Sequence, residues 1–128
     1  MSLKLNERKV GDVTVVDCEG RIVFGEESIS LRDKVKAILP NSRKIVLNLA
    51  SVNYIDSGGI GILVSLFTSA RNAGGDIKLA NLTKRVGDLL QITKLLTVFD
   101  VFDDEQHAVN AFKIEATKSG TMAVPKNL

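Results

Sequence analysis

Apolar positions along the chain fall into runs whose spacing changes, and the changes mark the elements. Leu3 to Val10 and Val13 to Val23 are two β-like runs joined at Gly11-Asp12, a pair with turn character, and they predict an opening antiparallel hairpin. Glu26 to Leu39 then places Leu31, Val35 and Ile38 at helical spacing, begins with acidic residues and stops at Pro40-Asn41, as a surface helix with one buried face does. Lys44 to Ala50 is nearly continuous in apolar character, the pattern of a strand covered on both faces, and is the candidate central strand. From Ser57 to Ala73 the residues Ile60, Leu63, Val64, Phe67 and Ala70 recur at threes and fours, and Gly74-Gly75 supplies the stop. Ile77 to Leu82 reads as a short strand, Thr83 to Thr93 as a helix with Val86, Leu89 and Leu90 inward, and Val98 to Phe102 as the last strand. Asp103, Asp104 and Glu105 crowd the start of a final helix carrying Ala108, Val109 and Phe112, where acidic side chains suit the positive end of the helix dipole.

The order is β-β-α-β-α-β-α-β-α. After the hairpin every strand is followed by a helix, which implies right-handed crossovers. The expected fold is α/β: a mixed, mostly parallel sheet opened by an antiparallel hairpin, with about four helices. At 128 residues the chain suits one domain, placed at 1–115. Residues 116–128 contain Gly120 and Pro125 and show no periodicity, so a mobile tail is expected there.

Composition narrows the function classes. Hydrophobic residues at 45% and charged residues at 25% are ordinary for a folded soluble domain. Ile60 to Phe67, among the longest apolar stretches, is broken by Gly61 and Ser65 and is far shorter than the roughly 20 residues of a spanning helix, so no membrane insertion is expected. Met1 to Val10 lacks the apolar run of a secretory signal, which points to the cytoplasm. A net charge of +2 with five Phe and one Tyr makes a poor nucleic-acid platform. Cys18, the single cysteine, lies in an apolar run and is read as core; neither a metal nor a cofactor is expected.

The segment Asn53 to Gly61 is harder to explain by folding alone. Gly58, Gly59 and Gly61 sit in or near the first turn of the longest helix, at a combined cost of roughly 2 kcal/mol against Ala. Ser57 ahead of them has the identity preferred at an N-cap, and glycines leave its hydroxyl unshielded. Two readings fit: Ser57 caps the helix while the glycines admit close packing, or Ser57 presents its hydroxyl to a visitor. A nucleophilic serine needs a base, and the single histidine, His107, lies far along the chain in an acidic helix start, so no catalytic residue is assigned.

The run Ile55-Asp56-Ser57-Gly58-Gly59-Ile60-Gly61-Ile62-Leu63, with Leu47-Asn48-Leu49 before it and Gly20-Arg21-Ile22 earlier, resembles the STAS family, the sulfate transporter and anti-sigma factor antagonist domain. The likeness in element order covers Leu3 to Phe112 and is concentrated at residue level in the Asp-Ser-x-Gly block. The resemblance implies that Ser57 is phosphorylated by an anti-sigma factor that is itself an ATP-dependent serine kinase. It implies that the unphosphorylated chain binds that kinase and releases a sigma factor, and that a serine phosphatase resets the cycle. The implied partner-binding residues are Asp56, Ser57, Gly58 and Gly59, with Phe24 and Glu26 from the loop after Gly20. Two departures stand out: many relatives have a second serine where this chain has Gly58, and the stretch from Arg21 to Glu27 replaces a more polar loop.

Other readings compete. A STAS scaffold or transport-associated domain would use the same surface without a sigma factor. A dinucleotide fingerprint starting at Gly59-Ile60-Gly61 fails because Val64 occupies the third glycine position. A receiver domain phosphorylated on Asp56 would lead its first strand straight into a helix, whereas two strands open this chain.

Overall fold

In the computed structural model, which describes residues 3–122, five strands and four helices follow in the expected order. They are β1 (Leu3–Val10), β2 (Val13–Ile22), α1 (Glu26–Ile38), β3 (Lys44–Ile55), α2 (Ser57–Asn72), β4 (Asp76–Ala80), α3 (Lys84–Ile92), β5 (Asp100–Phe102) and α4 (Glu105–Met122). The strands form one sheet in the order β1-β2-β3-β4-β5, antiparallel between β1 and β2 and parallel thereafter. Because the strands advance across the sheet in one direction, right-handed crossovers put α1, α2 and α3 on the same face. Strand alternation then serves two cores. Val16, Cys18, Ile45, Leu47, Leu49, Ile77 and Leu79 meet Leu31, Val35, Leu63, Leu66, Val86 and Leu90 of the three helices. Val13, Val15, Val46 and Ala80 point the other way and are covered by Ala108, Val109 and Phe112 of α4. Cys18 belongs to the larger core, and burial pushes its thiol up to about 12.

Polar groups pin α4 to its face. The Arg8 guanidinium on β1 donates to both carboxylate oxygens of Asp17 on β2, at 2.6 and 2.9 Å, and to Glu105 at the start of α4. Asn48 on β3 adds a bond to Glu105 at 3.2 Å. Lys78, fully buried on β4, keeps its ammonium 2.8 Å from Asp100 and 3.2 Å from Asp76, with the Phe112 ring 4.7 Å away.

Several boundaries differ from the sequence reading, among them that of β4, which spans Asp76–Ala80 rather than Ile77 to Leu82. β3 runs to Ile55 rather than Ala50: its outer half pairs with the end of β2, Glu19 opposite Ser51 and Arg21 opposite Tyr54, so the ladder holds residues whose exposed side chains hide the pattern. β5 starts at Asp100, since Val98 closes a turn onto the Leu95 carbonyl instead of pairing. α4 starts at Glu105 and continues to Met122, past the point where a tail was expected, because extending a formed helix adds one hydrogen bond per residue fixed. Residues 123–128 lie outside the described residues.

Two register shifts in β2, between Asp17 and Glu19 and between Gly20 and Arg21, re-aim its end. Ile22 thereby lands opposite Ile55, and the loop leading into α1 lies against the start of α2.

Candidate functional site

The junction of β3 and α2 is built around Asp56. Its backbone is extended, at φ −108° and ψ −177°, and its Oδ1 accepts the Gly59 N–H at 2.8 Å. Asp56 is therefore the N-cap of α2, and Ser57, the cap in one of the two readings of the sequence, is the first helical residue. The same carboxylate accepts the Phe24 N–H, at 3.1 Å to Oδ1 and 3.2 Å to Oδ2, while the Asp56 N–H donates to the Ile22 carbonyl at 3.3 Å. One side chain thus ties two loops and a helix start together.

The cap leaves Ser57 uncommitted. Its side chain is exposed and makes no hydrogen bond to another described residue. The amides of Ser57 and Gly58 are likewise among the helix-start donors with no described partner, so the hydroxyl stands at the positive end of a sixteen-residue helix.

The three glycines divide by role. A Cβ on Gly59 would lie 1.9 Å from the Ile22 carbonyl oxygen, so a side chain is excluded by backbone. A Cβ on Gly58 would lie 2.5 Å from the Phe24 Cβ. The two departures noted in the sequence are thus a single feature: the Phe24 loop fills the space that a second serine would need. Gly61 meets nothing within 4 Å. It sits one turn below Ser57 on the same helix face, and helical side chains lean toward the N-terminus, so a large residue there would screen the hydroxyl.

Phe24 is 81% exposed beside this junction. Glu26 is exposed at the start of α1 and makes no hydrogen bond or ion pair with Asp56 to Gly59 among the described residues. On the other side of Ser57 an open groove of about 900 Å³ runs between the β3–α2 junction and α3. Tyr54, Ser57 and Ile60 form one wall; Lys84, Arg85, Asp88, Leu89 and Ile92 form the other. Ile92 is 76% exposed, the Arg85 guanidinium lies over the Tyr54 ring at 5.7 Å, and Lys84 pairs with Asp88 at 2.8 Å. Thr83 fixes α3 against β3: its hydroxyl caps the helix by accepting from the Val86 N–H and donates to the Val52 carbonyl at 3.0 Å.

The α3 wall was not named from sequence. Ile92 carried the available signal, since it falls off the Val86–Leu90 face yet is large and apolar. His107, on α4 across the sheet from α2, bonds Asp104 at 2.8 Å. Among the described residues no group of three or more His, Cys, Asp or Glu could hold a metal ion, and no helix is long and apolar enough to cross a membrane.

Comparison with known proteins agrees with this architecture. A family model described as the STAS domain matches residues 4–108. The anti-sigma-B factor antagonist of Bacillus subtilis (strain 168) is 34% identical over 71 residues, which cover 56% of this chain and 65%, just under two thirds, of that protein. SpoIIAA, an anti-sigma factor antagonist, superposes in its unphosphorylated form with a TM-score of 0.70 at 17% identity, covering 86% of this chain and 96% of that one. Bacillus SpoIIAA in its phosphorylated form gives 0.64 at 16%, covering 87% and 99%. At these identities the solved structures show a shared fold.

Proposed function

The chain belongs to the STAS domain family, and on that premise we propose that it is an anti-sigma factor antagonist switched by phosphorylation of Ser57. Unphosphorylated, it binds an anti-sigma factor that is also a serine kinase, and the sigma factor is released. The kinase transfers the γ-phosphoryl group of ATP to the Ser57 Oγ; the hydroxyl proton is lost and ADP leaves. A phosphatase returns the serine by hydrolysis. The observation that carries this reading is the exposed Ser57 hydroxyl, free of hydrogen bonds to described residues, between the Phe24 loop and the groove.

The energetics favour a change in binding over a change in fold. A phosphate adds about −1.5 to −2 charges at a helix start, where free amides welcome an anion. Asp56 stands next to it, but that carboxylate already accepts from the Gly59 and Phe24 amides. Under a partner that offers it no cation, the same dianion would be desolvated at a cost of several kcal/mol; a loss of ~3 kcal/mol already weakens binding more than a hundredfold. Phe24, Gly58 and Gly59 would lie within that contact, with Glu26 at its edge.

Purified kinase, ATP and this chain, followed by peptide mass mapping, test the assignment. Phosphate is expected on Ser57, none on Ser57→Ala, and Ser57→Asp is expected to fold normally while losing the kinase. Phosphate found only at other residues rejects it.

A further inference from the structure

Lys84 and Arg85 open α3 and line the same groove as Ser57. Their situations differ. Lys84 is engaged by Asp88, which raises its pKa. Arg85 has no carboxylate partner among the described residues and rests on the face of Tyr54 instead. At an exposed site such a cation–ring contact is weaker than the two parallel hydrogen bonds a guanidinium makes to a phosphate. The other charged groups of the groove are Asp56, occupied by backbone amides, and Asp88, occupied by Lys84. The cation left for a new anion is Arg85.

We propose that phosphorylated Ser57 is held within its own chain: Arg85 leaves the Tyr54 ring and, assisted by Lys84, clasps the phosphate across the groove. The modification then does more than add charge to a surface. It fills the groove with a side chain and removes from it the cation that an acidic partner residue would otherwise use. This rests on Ser57 being the phospho-acceptor.

The chain has one tyrosine and no tryptophan, so its intrinsic fluorescence arises from Tyr54 alone, inside the groove. Phosphoserine inserted at position 57 during translation, without any kinase, separates this proposal from the identity of the modifying enzyme. Phosphorus NMR then follows the second ionisation of the phosphate, which for free phosphoserine lies near ~6. In the otherwise unaltered protein the midpoint is expected about 0.5 below that of Arg85→Gln, with a smaller difference for Lys84→Gln, allowing for solvent screening. Tyr54 emission is expected to differ between the phosphorylated and unmodified forms, and to lose that difference in Arg85→Gln. A midpoint that Arg85→Gln leaves unchanged overturns the clasp, because the helix start alone would then account for the phosphate. Failure of any kinase to modify Ser57 would sink the switch and leave this measurement standing.

Discussion

Two substitutions of one methyl group each, two residues apart on α2, should move stability in opposite directions. Helix propensity treats Gly59→Ala and Gly61→Ala alike, with a gain of up to about 0.8–1 kcal/mol and somewhat less in the first turn. At Gly61 nothing lies within 4 Å of the new Cβ, so the gain should appear nearly whole, at about 0.5–1 kcal/mol. At Gly59 the new carbon would lie 1.9 Å from the Ile22 oxygen and 2.9 Å from the Ile55 Cγ1. Carbon–oxygen contacts normally settle at about 3.3 Å or more, so α2 and the β2 end must separate by more than an ångström. Overpacking of this kind costs about 1–3 kcal/mol, and opening the junction also endangers the Asp56 N–H bond to Ile22, about 1 kcal/mol more. Against the propensity gain, the net expectation for Gly59→Ala is a loss of about 1–3 kcal/mol. Gly58→Ala should fall between, near 1 kcal/mol, because its 2.5 Å contact is with Phe24, which an exposed loop can move. Urea unfolding followed by circular dichroism measures all three. If Gly59→Ala and Gly61→Ala agree within about 0.5 kcal/mol, the close approach of α2 to Ile22 is not real, and the division of the glycines by role fails with it.

Two further outcomes follow from the polar contacts. Asp56→Ala removes the cap of α2 and the acceptor for Phe24, and should lower stability by about 1–2 kcal/mol; faster exchange of the Phe24 and Gly59 amides would locate the damage, and unaltered exchange at both would contradict the cap. The Arg8 guanidinium holds the carboxyls of Asp17 and Glu105 below the usual carboxylate range, mainly through hydrogen bonds. Carboxylates depressed in this way stabilise the fold fully above their unfolded values of about 3.9 and 4.3, and lose that contribution as pH falls through the lower folded values. Acid unfolding of Arg8→Met should accordingly begin from a less stable protein at pH 7 and be shallower below pH ~4, and an unchanged acid slope would refute the linkage.

Element order was legible because apolar spacing switches cleanly between alternation, continuous runs and helical recurrence. What escaped was whatever depends on one element lying against another. Ser51, Asn53 and Tyr54 look like a loop because their side chains face solvent, yet pairing with β2 keeps them in a strand to Ile55. That boundary decides which residue caps α2: with the strand ending at Ile55, Asp56 takes the extended backbone of an N-cap and Ser57 becomes helical. Asp and Ser are about equally good caps, so propensity alone could not choose. The groove was illegible for the same reason, since Tyr54 and Arg85 meet only when α3 is tied to β3 through Thr83 and Val52. The Phe24 loop shows the reverse: sequence picked it out as unusual, and the structure supplies the cause, a contact with position 58.

Separating the cap from its neighbour has a consequence for the switch. Were Ser57 the cap, its oxygen would be bonded to a helix amide, and a phosphate would have to break that bond or distort the first turn. With Asp56 holding the Gly59 and Phe24 amides, the Ser57 oxygen can be esterified with no described hydrogen bond lost. The free amides of Ser57 and Gly58 then gain an anion. The proposed modification would thus break no described hydrogen bond of the fold, and its charge would be felt by whatever approaches the hydroxyl, the Arg85 side chain included. A switch of this design would need no second backbone conformation of the domain, since the bonds of the Asp56 cap do not involve the Ser57 oxygen. In the proposed switch the signal would reside in the interface, and the fold's part would be to keep one carboxylate occupied so that the adjacent hydroxyl stays available.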